Sequence, residues 1–220
     1  MATWIAHLRV AERMLNKGLK LNKISFVCGN IGPDAGVPNE DWSVFNPPAA
    51  VTHWKDGEGN ICAEDFYEKY IGNNFKEVDK DRLSFLIGYY THLLTDIEWK
   101  RMGENQKNAP AFKEKLERDS KFIWTMKEDW YGLDFLYLKE NKNNIFTECF
   151  MHITEAQDYL DYFPKGAFTN RIEYIRNYYL SEDIDPNRDY VYLTKEEMDN
   201  FIEEASKNIE KQLFEKGIFL

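Results

Sequence analysis

The run FLIGYYTHLLTDIEW at residues 85–99 decides how the rest of the chain is read. Apolar side chains fall on nearly every side of a helical projection of it, and a helix that is hydrophobic all round is a buried one. His92 and Asp96 sit inside the run at i and i+4, so both side chains lie on one face, one turn apart. A carboxylate inside a core needs a partner or a metal. An imidazole and a carboxylate at this spacing suit a divalent ion such as zinc. The same two residues would also serve as a His–Asp ion pair, or His92 as a core histidine satisfied by a hydrogen bond. Gly88, one turn before His92, has no side chain and leaves room for another element to approach that face.

This helix is expected to begin near Asp81 and to run to about Met102, with Gly103 at its end. On its N-terminal side, Thr3 is placed to cap a first helix with Trp4, Ile5, Leu8, Ala11, Met14 and Leu15 inward and Gly18 as its stop. His7 lies beside that apolar face. Asn22 then precedes KISFVCGNIGPD, a second short helix or buried segment that ends at Gly32-Pro33 and aims Asp34 just past the end of an element. Residues 35–60 are rich in proline and glycine and read as a long loop. Trp42, Phe45, Val51 and Trp54 argue that this loop is packed. His53, in VTHW, is there either a ligand or a surface histidine. A helix follows from Ala63 to about Ile71, and residues 73–81 read as a polar loop.

Beyond the central helix, Pro110 fits the first turn of a further one. The apolar pattern from Phe112 to Leu138 gives one long helix, or two with a break near Gly132. Residues 141–144 read as a loop, and 145–163 are mixed, with His152 and Glu155 at i,i+3 as a metal pair or an exposed helical pair. Pro164 opens a helical stretch through Tyr179, residues 183–187 form a turn, and Thr194-Lys-Glu-Glu197 is a capping box for a last helix whose seam is Met198, Phe201, Ile202, Ala205, Ile209 and Leu213. β-alternation is confined to residues 190–193. The reading is all-α, one compact helical domain over residues 1–220.

Composition narrows the function classes. A formal net charge of −10 gives no positive footprint for stable nucleic-acid binding or for an anionic membrane surface. It leaves phosphate chemistry open, because bound divalent ions reverse the local sign of a site. Cys28, Cys62 and Cys149 are odd in number and form no C-x-x-C, so they are expected reduced and buried in a cytoplasmic protein. A thiolate catalyst has no motif behind it. The chain is read as lacking a signal peptide and any transmembrane segment.

The candidate ligands gather into an ordered set: His7, Asp34, His53, His92 and Asp96. Nitrogen and oxygen donors from several elements, without thiolates, suit a catalytic zinc better than a structural one. In order along the chain, HLRVAERML, FVCGNIGPD, THW and GYYTHLLTD resemble the zinc-dependent phospholipase C family of bacteria, which is related to the single-strand-specific zinc nucleases. The resemblance covers roughly residues 1–135. It implies a helical fold carrying two or three zinc ions and a phosphoesterase acting on a phosphodiester, a phospholipid headgroup or a nucleotide. In that frame Asp34, His53, His92 and Asp96 hold one zinc, Asp96 also reaches a second held with His7, and Asp34 is the general base. An oxygen-rich set of this kind also accepts manganese or iron.

The chain departs from the family pattern in three ways. Trp4 follows Met1-Ala2-Thr3, where secreted members present a tryptophan as their first residue. The family's later histidine ligands have no counterpart in IEWKRMGEN or KEDWYGLDF, which leaves Asp129, Asp134 and His152 as candidates for a further site. No family motif falls after about residue 140. The alternative reading is a non-catalytic metal-binding scaffold of the same fold. An HD-type phosphohydrolase would need a histidine followed directly by aspartate, and no histidine here is.

Overall fold

In a computed structural model the central helix runs from Lys80 to Asn108 (α5), and residues Leu83 to Asp96 along it are buried without interruption. The structure describes residues 1–72, 79–108, 110–119, 121–181 and 184–218. Most of the expected loop at 73–81 and Asp183 of the expected turn at 183–187 lie outside them. Helices dominate: α1 (Trp4–Asn16), α2 (Lys23–Ile31), α3 (Ala49–Thr52), α4 (Ala63–Tyr70), α5, α6 (Pro110–Arg118), α7 (Phe122–Glu140), α8 (Ile145–Glu148), α9 (Ala167–Ser181) and α10 (Lys195–Glu215). The all-α expectation holds, with one minor addition. A two-stranded antiparallel ladder, β1 (Val37–Pro38) on β2 (Phe45–Asn46), and the single turn of α3 organise residues expected to be a plain loop. Residues 190–193 form no strand.

The closest packing in the molecule is α2 against α5. A Cβ on Gly88 would lie 2.2 Å from the carbonyl oxygen of Phe26, and a Cβ on Gly29 would lie 1.9 Å from that of Phe85. The two glycines face each other's backbone, so each helix sinks into the other. This fulfils the expectation for Gly88. α1, α4 and α10 also pack on α5, and the buried apolar residues form one continuous cluster.

The helix signals act as expected at the ends. Thr3 accepts from the backbone N–H of Ala6, and Thr194 and Glu197 make a reciprocal capping box at α10. Two boundaries differ. Gly103 does not stop α5, which continues to Asn108; a mid-helix glycine costs only about 1 kcal/mol and cannot end a helix by itself. Nor is the break in the long apolar pattern at Gly132. It falls after Arg118, and α7 starts at Phe122; between the two helices the Asp119 carboxylate accepts from the Lys121 N–H. Gly132 instead admits the returning chain: a Cβ there would meet Arg188 and Tyr190 at 3.1 Å.

The cysteines are free. Cys28 and Cys149 are buried, whereas Cys62 is only half-buried, at the N-cap of α4. Burial pushes the Cys28 thiol up to about 12 and raises that of Cys149, which removes thiolate chemistry from both. No helix among the described residues is long and apolar enough to cross a membrane.

Candidate metal centre

His7 and His92 meet where α1 crosses α5. Their rings stack with centroids 3.7 Å apart and planes 5° from parallel. His53 follows the last turn of α3 and brings its ring to 5.3 Å from that of His92. Asp34 ends the 3-10 turn that continues α2, and Asp96 lies one turn beyond His92. All five expected residues therefore converge. His7, His53, His92 and Asp96 are at most 2% exposed, and the Asp34 side chain is 10% exposed. His53, which read equally as a surface histidine, is buried.

The local folding explains the aim of each ring. The Nδ1 of His92 lies 2.8 Å from the Asn30 carbonyl, in the last turn of α2, where helix carbonyls lack intrahelical partners. A carbonyl only accepts, so Nδ1 carries the proton and Nε2 presents its lone pair to the cluster. Tyr89, one turn before His92, donates to the Thr52 carbonyl at 2.5 Å and fixes the end of α3 that carries His53. Trp54, just after His53, adopts φ +50, the left-handed position that usually falls to glycine after a helix. Its ring packs edge-on against Phe66 and Tyr70. The indole of Trp4 donates to Asp34 Oδ2 at 2.9 Å, and the Ala2 N–H donates to Asp96 Oδ1 at 2.7 Å.

Asp96 divides its two oxygens. Oδ1 is 3.4 Å from His7 Nε2, while Oδ2 is 3.6 Å from both His53 Nε2 and His92 Nε2. Asp34 Oδ1 is 3.4 Å from His53 Nε2. The donors fall into two sets that share His92: His7, His92 and Asp96, and Asp34, His53 and His92. Within each, the donor atoms lie within 4.8 Å of one another. Ligands around a tetrahedral zinc, at about 2.0–2.1 Å from it, stand about 3.3 Å apart, close to the contacts found here. The donors are also unspent. His7 Nδ1 and Nε2, His53 Nε2, His92 Nε2 and Asp96 Oδ2 are sealed from solvent without a hydrogen-bond partner in the protein. Such atoms are rare in cores and cost about 1–3 kcal/mol each when left unpaired. These residues fit a metal ion.

The electrostatics separate the two stacked rings. Burial, reinforced by the His92 ring, lowers His7 to about 4, so it is held neutral as a ligand must be. For His92 burial acts downward, but the carboxylates of Asp96 and Asp34 outweigh it and raise the group. Burial pushes Asp34 and Asp96 up. The imidazoles facing them at 3.4–3.6 Å more than reverse this and hold both carboxylates below their ordinary range.

The remaining candidates lie elsewhere. Asp129 Oδ2 accepts from the backbone N–H of Tyr192 at 2.6 Å and of Leu193, and its Oδ1 faces Arg188, so it fastens the segment leading into α10. Asp134 accepts from Thr3 Oγ1 at 2.7 Å and from the Tyr179 hydroxyl at 2.5 Å. His152 is exposed in a 3-10 turn. None of these three joins either donor set.

The cluster opens on a cleft of about 400 Å³, lined by Asp34 and His53 at its floor and by Trp4, Trp42, Trp124 and Tyr174 on its walls. Trp42, Trp124 and Tyr174 are all exposed, and Trp42 sits at φ +60. Lys127 and Arg171 also line it. The sequence reading passed over Arg171 altogether. Its partners are far away in the chain, and only its position between apolar residues on α9 hinted at an inward side chain. No family model matches this chain, and neither does any curated protein or solved structure.

Proposed function

We propose that the chain is a metal-dependent phosphoesterase of the phospholipase C-like type, taking zinc at the cluster and hydrolysing a phosphate ester in the cleft above it. One observation carries this reading: Asp96 turns one oxygen toward His7 and the other toward His53 and His92. A buried carboxylate that faces two sets of unspent imidazole nitrogens is arranged to serve two cations. His7 and Asp96 would hold one, and Asp34, His53, His92 and Asp96 the other. Divalent ions in such a pair acidify a bound water and offset charge on phosphoryl oxygens.

The protein's own groups supply the rest. The Asn30 carbonyl orients His92, and the Trp4 indole orients Asp34. Asp34 stands between the cluster and the cleft and is the carboxylate placed to accept a proton from a water attacking phosphorus. The aromatic walls give an organic group a surface to rest on.

A non-catalytic metal scaffold is the second reading. It is favoured by the structural employment of Asp129 and Asp134, which leaves no further ligand set among the described residues. Metal content of the purified protein, measured together with hydrolysis of a chromogenic phosphodiester, separates the two. Two bound ions, with turnover falling by about 100-fold or more in His92→Ala and Asp96→Ala, support the esterase. A single tightly held ion without turnover supports the scaffold, and no metal uptake sinks both.

A further inference from the structure

Arg171 lies on α9, in the part of the chain beyond the family resemblance, yet it lines the same cleft as Asp34 and His53. It is 7% exposed. One guanidinium nitrogen donates to the Gly36 carbonyl at 2.8 Å, and its carbon lies 5.2 Å from the centre of the Tyr174 ring. No carboxylate among the described residues pairs with it. Arg171 lines this cleft and also the adjoining pocket around Gly36, Val37 and Pro38. A buried guanidinium is costly unless closely paired; the charge of Asp34 offsets part of that cost, and an anion in the cleft would offset more. Fastening Gly36 needs only one N–H, which a glutamine or lysine would supply. The planar fork of Arg171 also matches a planar or tetrahedral oxyanion.

We infer that Arg171 is an anion anchor in this cleft, binding a phosphoryl oxygen of the substrate that is not engaged at the histidine–aspartate cluster. This rests on the phosphoesterase reading for the substrate class. Arg171 adds a cation to a cleft whose charged lining also includes Asp34 and Lys127.

The test uses the zinc-treated full chain with inorganic phosphate as probe. Zinc content, melting temperature and phosphate affinity are measured for the unaltered protein, Arg171→Gln and Arg171→Lys. The expected result is unchanged zinc content in all three, phosphate affinity weakened by about tenfold or more in Arg171→Gln, and an intermediate loss in Arg171→Lys. With a phosphodiester substrate, KM should rise more than kcat falls. Phosphate affinity in Arg171→Gln equal to that of the unaltered protein would overturn the inference. Should Arg171→Gln fail to fold, Arg171→Lys, which retains a donor for Gly36, carries the same criterion. Absence of zinc from the unaltered protein would instead overturn the metal reading. Phosphate affinity compared between the unaltered protein and Arg171→Gln without metal would still decide the anchor.

Discussion

Among single side chains, Asp134 ties its ionisation to stability. Burial raises its carboxyl to about 7, against the opposing hydrogen bonds from Thr3 and Tyr179. In the unfolded chain the same group titrates near its ordinary value of about 4. Between those values the folded protein binds the extra proton. The stabilisation is therefore complete below about pH 4 and is lost as pH rises through about 7, by at most about 1.4 kcal/mol per pH unit. Urea denaturation across pH 5 to 8 should show the unaltered protein weakening relative to Asp134→Asn, and parallel curves would contradict this. The burial of His92 and Asp96 on one face was readable from sequence, because their spacing and their burial both belong to one helix. The role of Asp134 was not: its partners stand 131 and 45 residues away, and nothing near it in the chain reveals them. A separation of 30 residues likewise hid the Trp4 indole bond to Asp34, although Trp4 itself was legible as part of the first helix.

Elements are decided by backbone contacts, and the glycines of α2 and α5 show two opposite cases. Gly88→Ala would drive a methyl into the Phe26 carbonyl and force the helices apart, at a cost of about 3 kcal/mol or more and with displacement of His92 from Asn30. Gly103→Ala meets nothing within 4 Å and should stabilise by about 0.5–1 kcal/mol. Chemical denaturation of the two variants checks both signs. Helix starts were legible because capping is local: Thr3, Asn22, Pro110 and the Thr194–Glu197 box lie where the helices begin. The ends of α5 and α6 were not, because Gly103 and Gly132 are compatible with helix and only tertiary packing says whether a helix continues through them. The 35–60 segment read as a loop for the same reason. Its ladder is two residues long on each side and is held by contacts such as Arg171 to Gly36.

For the whole molecule, the proposed metal centre would join α1, the end of α2, α3 and α5, so occupancy should be felt globally. Saturating zinc at about 100 times its dissociation constant adds about 2.7 kcal/mol, which raises the melting temperature by several degrees in a chain of this size. A chelator should reverse the shift, and a melting temperature indifferent to both would speak against the centre. The stacked imidazoles of His7 and His92 carry a further consequence. Without an ion, the middle of this fold is frustrated: polar rings and a carboxylate occupy space that leucine and phenylalanine would fill at no desolvation cost. Stability and function then pull on one position in opposite directions. His7→Leu should make the chelator-treated protein harder to unfold than the unaltered one and the zinc-treated protein easier to unfold. That inversion of sign would mark residues retained against the interest of the core that surrounds them.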